Sequence, residues 1–305
     1  MCGIVGFIDR TGKANVVDVL FQMMKPLKRR GPDAAGAAVF YGPPAYPVWK
    51  AIILLTGSDL ERDEAILRQG MDDIASVKFF QRKGVYVTVE LNEAPDLDVL
   101  GKTVEEELLS GRASIVYVGT MGGVWKTSGS VEGLENFFAA SAGAVFGIGH
   151  TRMATESREA LRNAQPFAAK RWPDLAIVHN GHITNHLAWK RKLEQKGYTF
   201  TAESDSEIIP AFLAECLRQG ATMEEALHEA GNAFDGSYTI LAADNQSVGF
   251  VRDRFATKPL VIAETDDFVA IANETTAVVP LLRGSASVYE PSAGEVRVWS
   301  GLIAV

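Results

Sequence analysis

Cysteine is scarce in this chain. Cys2 and Cys216 are its only two, too few for a disulfide framework or a four-thiolate zinc site. Positive charge is outnumbered as well: 30 Lys+Arg stand against 38 Asp+Glu, a formal net charge of −8. That balance argues against nucleic acid or an anionic membrane surface as the main partner, since both reward a basic face. No apolar run approaches the roughly 18 residues that span a bilayer. The opening Met1-Cys2-Gly3-Ile4-Val5-Gly6 lacks the basic segment and long apolar core of a signal peptide. There is no internal repeat, no low-complexity tract and no phosphate-cradling glycine motif; Met121-Gly122-Gly123 is too short to count as one. These absences lead us to expect a soluble, cytoplasmic protein.

What is present is ordinary globular composition, 47% apolar over 305 residues, enough to bury a sizeable core in one large domain or two small ones. Residues 2–8 read as a buried strand at the very terminus. Val16, Val17, Leu20, Met23, Met24 and Leu27 share one face of a helix over 14–29, which Gly31-Pro32 ends. A strand over 36–41 runs into the loop Gly42-Pro43-Pro44. Between 43 and 143 the pattern changes: helices over 59–74, 104–110 and 131–140 alternate with strands over 85–91 and 114–118, without a single His or Cys. Strands over 144–150 and 175–179 follow, then helices over 184–196, 204–218 and 223–234. Five strands over 237–243, 247–252, 260–263, 268–272 and 295–299 close the chain. Strands at both ends with helices between them predict α+β layers rather than a doubly wound parallel sheet.

Few residues are equipped for chemistry. Once an initiator methionine is removed, Cys2 carries both a thiol and a free α-amine. Such an amine titrates near 8 and can serve as a local base, so one residue supplies nucleophile and base; a buried apolar cysteine beside the start codon is the plainer alternative. Gly149-His150-Thr151-Arg152-Met153-Ala154-Thr155 places an arginine suited to a carboxylate at the end of an apolar strand, where a structural ion pair would serve equally. His179-Asn180-Gly181 ends another strand; a side-chain amide and an unshielded glycine N–H suit an oxyanion hole, and also a simple turn. Ser204-Asp205-Ser206-Glu207 opens a helix with the capping-box pattern of Ser204 and Glu207, in which Asp205 would merely complement the helix dipole. Cys216 shares the apolar side of its helix with Ile209, Phe212 and Leu213 and reads as core.

Taken in order, Cys2-Gly3-Ile4-Val5-Gly6, Arg30-Gly31-Pro32-Asp33, Gly149-His150-Thr151-Arg152, His179-Asn180-Gly181 and Ser204-Asp205-Ser206-Glu207 resemble the class II glutamine amidotransferases, members of the N-terminal nucleophile hydrolases. Asp235-Gly236-Ser237-Tyr238, Arg252-Asp253-Arg254 and Lys258-Pro259-Leu260 look like the later strand motifs of that family. The likeness covers about 1–42 and 144–280. It implies a four-layer αββα sandwich in 2–42 and 144–305, interrupted by an α/β lobe over 43–143 that we expect to dock a partner.

The resemblance also implies a mechanism. Cys2 would attack the carboxamide of glutamine, Asn180 and the Gly181 N–H would hold the oxyanion, Arg152 the α-carboxylate and Asp205 the α-ammonium. Thr155 matches a position close to the substrate, and Arg30 lies in the loop expected to cover it. Ala164-Gln165-Pro166-Phe167 looks most like the amidotransferase domain of glutamate synthase. With no room for an acceptor domain before Val305, the expectation is a free-standing subunit of a hetero-oligomeric complex. No cofactor is expected in this chain; flavin mononucleotide and an iron–sulfur cluster would belong to a glutamate-synthase-like partner of the N-methylglutamate synthase type. Ala34, Ala35, Glu156 and His182 depart from the family pattern and touch the covering loop and the oxyanion hole. Two alternatives stay open: an N-terminal-cysteine amidase of other specificity, and a catalytically idle subunit that senses glutamine or holds a complex together.

Overall fold

The computed structural model describes residues 2–42, 47–138, 143–154, 160–282 and 287–301. Among them the chain forms three sheets, all with antiparallel pairings. The largest has seven strands, in the spatial order Ser287–Tyr289, Val261–Glu264, Phe268–Ala272, Gly3–Asp9, Ala144–Arg152, Ala34–Tyr41 and Gly122–Ser128. The second has five: Val296–Ser300, Ser247–Arg252, Gly236–Ala243, Ala176–Ile183 and the short Phe167–Ala168.

Alternation along each strand stacks the two sheets. In Gly3–Asp9, Ile4 and Ile8 point toward the second sheet and join Val178, Leu241 and Phe250 in the core between the sheets. Val5 and Phe7, on the opposite face, pack under the helix Val16–Met24. The outer face of the second sheet, through Ile177, Ile240 and Val251, is covered by the helices Ile208–Arg218 and Met223–Ala233. The result is helix, sheet, sheet, helix, the expected αββα sandwich. Every strand near the middle is sealed on both faces, which is why these segments read as continuous apolar runs.

The third sheet, Val77–Lys83, Tyr86–Leu91, Trp49–Leu55 and Ala113–Gly119, is the inserted lobe. The helix Leu60–Ile74, with Asp59 accepting from the Arg62 N–H as its N-cap, covers one face. Ile52, Leu54, Tyr86, Val116 and Tyr117 on the other face merge with the core between the two main sheets. The lobe is therefore packed into the body rather than hung from it. Asp174 ties the seam, accepting hydrogen bonds from the Tyr117 hydroxyl and from the backbone N–H groups of Thr120 and Met121.

The lobe ends earlier than the sequence suggests. Gly122–Ser128, which takes in the glycines of Met121-Gly122-Gly123, is the edge strand of the seven-stranded sheet and pairs with Ala34–Tyr41. Val131, Leu134 and Phe138 pack beneath the helix Val16–Met24. The inserted sheet spans Trp49 to Gly119, and 122–138 belongs to the body. The strands Trp49–Leu55 and Val77–Lys83 were not anticipated: the first is an unalternating apolar run, the second an exposed edge with little hydrophobic signal. The helix expected over 104–110 starts at Leu97 and continues through a widened turn over Thr103–Leu108.

The Ser204-x-x-Glu207 pattern also resolves differently. Ser204 does accept from the Ser206 N–H, but the Glu207 carboxylate turns to the N–H groups of Thr201 and Ala202 and to Lys170. A reciprocal capping box forms instead at Thr222 and Glu225. Cys216 is partly buried against the outer helical layer.

Candidate active site

Four separate elements converge on one cavity of about 360 Å3, and the strand expected to end at Gly181 runs on, paired, to Ile183. Cys2 enters just ahead of the strand Gly3–Asp9, Arg152 closes the strand Ala144–Arg152, Asn180 and Gly181 lie in Ala176–Ile183, and Asp205 opens the turn before the helix Ile208–Arg218. Five of the seven sequence-predicted residues thus meet. Thr155, like Glu156, lies outside the described residues. Arg30 does not line the cavity but grips Cys2 from behind.

That grip is specific. The Cys2 carbonyl oxygen accepts from Arg30 Nε at 3.2 Å and from Asn273 Nδ2 at 3.1 Å. Arg30 is itself paired with Glu274 at 2.5 Å, and Asn273 Oδ1 accepts the Ile4 N–H at 3.0 Å. The terminal residue is therefore fixed through its backbone, leaving the thiol free to face the cavity. Burial pushes the Cys2 thiol above its ordinary pKa, with the Arg152 guanidinium pulling the other way. A thiol held protonated needs a base close at hand.

The oxyanion donors carry the clearest signal. Asn180 is 3% exposed, yet its Nδ2 has no hydrogen-bond partner among the described residues. A buried amide donor left unpaired costs about 1–3 kcal/mol, and such a cost is tolerated where the donor has work to do. Gly181 has φ +139°, and a Cβ there would drive into the Ser237 carbonyl oxygen. Only glycine fits, so its backbone lies bare beside Asn180.

Asp205 is held in place as an acceptor: the Ile183 N–H donates to it at 2.8 Å, and His182 Nδ1 stands 3.5 Å away. Gln165 braces both sides of the site. Its Oε1 accepts the His179 N–H and its Nε2 donates to the His179 carbonyl at 3.0 Å and to Ser206 Oγ at 3.1 Å. His179 Nδ1 meets Ser206 Oγ at 2.8 Å. One buried side chain thereby ties the strand carrying Asn180 to the turn carrying Asp205. Gln165, Ser206, Asn273 and Glu274 escaped the sequence reading as functional residues. Their partners lie 14, 41, 271 and 244 positions away, a distance no local pattern reports.

Behind the site His150 is fully enclosed, neither ring nitrogen has a hydrogen-bond partner among the described residues, and burial pushes its pKa down to about 3. His179 is lowered for the same reason. The neutral native imidazole contributes stability that is present above the unfolded value near 6.5 and is lost as pH falls toward 3. At pH 5 the loss attributable to His150 is about 2 kcal/mol. Urea midpoints at pH 7 and pH 5 should differ accordingly, and His150→Leu should shrink the difference.

Comparison with known proteins gives the chain a family. The glutamine amidotransferase domain family matches residues 150–280. The glutamine amidotransferase-like protein GlxB of Rhizobium meliloti is 32% identical over 303 residues, covering 98% of each chain. The chain belongs to the class II glutamine amidotransferases. A Methanothermobacter thermautotrophicus protein, provisionally named a glutamine amidotransferase, is 29% identical across 98% of this amidotransferase and 99% of its own length. Among solved structures, the glutamine phosphoribosylpyrophosphate amidotransferase of B. subtilis superposes with a TM-score of 0.61 at 18% identity. That match spans 98% of this chain and 47% of the B. subtilis chain, and it shows the shared N-terminal nucleophile hydrolase fold.

Proposed function

We propose that this chain hydrolyses glutamine to glutamate and ammonia through a thioester on Cys2, and that a separate glutamate-synthase-like subunit of the N-methylglutamate synthase type takes up the nitrogen. The observation that carries the first half is the unpaired, buried Asn180 Nδ2 in the same cavity as Cys2, Arg152 and Asp205. Removal of Met1 frees the Cys2 α-amine, which accepts the thiol proton as sulfur attacks the side-chain carbonyl of glutamine. The tetrahedral oxyanion draws on Asn180 Nδ2 and the Gly181 N–H. The carbon–nitrogen bond breaks, the amine's proton passes to the departing ammonia, and water then cleaves the thioester to release glutamate. Arg152 and Asp205 supply one cation and one anion, which a zwitterionic amino acid requires and a simple acyl amide does not.

Free ammonia is lost to protonation and diffusion unless its user is docked nearby, which supports an acceptor held against this chain. In that reading the flavin and iron–sulfur cluster reside in the partner, and the inserted lobe is the docking element. Charge reversal on the exposed face of the helix Leu60–Ile74 should then abolish copurification with the synthase subunit; an intact complex would refute the docking role.

The test of the glutaminase reading is mass mapping of the N-terminal peptide after exposure to a glutamine-like diazoketone. An adduct on Cys2, with Met1 absent, is the expected result. Loss of Met1 without an adduct, even when the synthase subunit is present, would favour an idle subunit. Arg152→Ala should raise KM for glutamine roughly 10- to 100-fold with a smaller effect on kcat; an unchanged KM in steady-state assays would remove Arg152 from substrate binding.

A further inference from the structure

A second cavity, of about 350 Å3, lies on the far side of the Asp205–Glu207 turn, between the inserted sheet and the body. Its walls come from Ser114–Val116 of the lobe, Phe167–Arg171 and Gly197–Thr201 of the body, and the start of the outer helix at Pro210 and Ala211. None of the proposed catalytic residues lines it. Most of the wall is apolar, with Ile115, Val116, Phe167 and Phe200 among its members.

Its charges do not balance. Lys170 is fully engaged by Glu105 at 2.8 Å and Glu207 at 3.5 Å. Arg171 is held by Asp98, and Lys102 by Glu107. Two cations remain. Lys126, on the edge strand Gly122–Ser128, is 3% exposed; its ammonium faces the Phe167 ring at 4.6 Å and has no hydrogen bond or ion pair among the described residues. Arg162, half-buried on the turn Leu161–Asn163 that packs against that strand, likewise has none. Glu106, the remaining acidic side chain of the wall, faces solvent. A buried cation without a counter-charge is costly, and an apolar cavity with a few convergent polar groups is the usual form of a small-molecule site.

We propose that this cavity binds a small organic carboxylate, whose anionic group is received by Lys126 and Arg162 and whose apolar body lies against Phe167 and Ile115. Burial pushes the Lys126 ammonium down to about 7, Lys170 and Arg152 adding to that and Glu207 opposing it. An anion alongside favours the charged amine, so binding takes up a proton. Affinity is highest below pH 7 and weakens as pH rises through it. The site is independent of glutamine chemistry, although Glu207 places it two residues from Asp205.

Isothermal titration with benzoate, in a buffer free of carboxylate and phosphate, tests this on the full chain. Benzoate should bind at one site, roughly tenfold more tightly at pH 6.5 than at pH 8.5. Lys126→Met and Arg162→Gln should each weaken it by tenfold or more. Arg152→Ala, which strips the Cys2 cavity of its carboxylate anchor, should retain binding. Failure of benzoate and succinate to bind at any pH overturns the proposal, as does inorganic phosphate binding in their place. So does loss of binding in Arg152→Ala with retention in Lys126→Met. If Lys126→Met does not fold, Arg162→Gln and the pH profile of the unmodified protein decide.

Discussion

Cys2→Ala is expected to abolish glutamine hydrolysis outright while leaving the fold in place. The residue is anchored by its carbonyl oxygen, through Arg30 and Asn273, and not by its sulfur. The sole described contact of the thiol is a long one, 3.8 Å, to the Met153 carbonyl. Deleting the sulfur therefore removes the nucleophile and almost nothing structural. Melting temperature should be essentially unchanged, and glutamate release should fall to the background of the assay. Burial raises the thiol pKa, so attack on glutamine calls for a base; in the proposed mechanism the freed α-amine, a group that ordinarily titrates near 8, serves as that base. It follows that a form retaining Met1 should be as inactive as Cys2→Ala, because its Cys2 nitrogen is an amide. Undiminished turnover in Cys2→Ala would end the nucleophile assignment.

Asn180→Ala should reduce kcat roughly 10²- to 10³-fold, with KM for glutamine little altered. The reasoning rests on when the amide does its work. Its Nδ2 has no hydrogen-bond partner among the described residues, and charge develops on the substrate oxygen only as the tetrahedral species forms. The ground state thus has little to lose and the transition state much. Removing an unsatisfied buried donor should also leave stability unchanged or raise it, the opposite of what a structural asparagine would show. Kinetics and thermal melts on the same preparation separate the two cases. A loss of stability with unchanged kcat would assign Asn180 to the fold alone.

Each of these residues has a plain alternative when viewed singly. Asn180-Gly181 looks like a turn, Arg152 like half of an ion pair, and Asp205 like part of a helix cap. The cap reading was half right, since Ser204 caps its turn while Glu207 turns away to Lys170. What separates function from architecture is convergence: residues of four elements, from positions 2 to 205, open on one cavity. Sequence order implied that convergence only through resemblance to a family. Arg30, Gln165 and Ser206 lie inside the family-like motifs, but no motif implied a bracing role, and Asn273 and Glu274 lie in none. A glutamine that clamps His179 and Ser206 has the same sequence signature as a glutamine in any loop.

The boundary of the inserted lobe shows the same limit. Gly122–Ser128 belongs to the body because its backbone groups pair with Ala34–Tyr41, and pairing partners are not written into a strand's own residues. The strand Trp49–Leu55 carried the right apolar content but no period to distinguish it from buried helix.

By itself the sequence determined the class of the fold, most of its helices and strands, and the small set of residues capable of nucleophilic chemistry. Those depend on local periodicity, capping and residue type, which act within a few positions of one another. The tertiary structure alone decided that Arg30 grips the Cys2 carbonyl oxygen, that Asn180 Nδ2 has no partner among the described residues, and that Lys126 is buried beside an apolar cavity with no counter-charge among them. Each of those is a statement about which distant groups meet and which are left without a partner, and burial and pairing exist only once the chain has closed on itself.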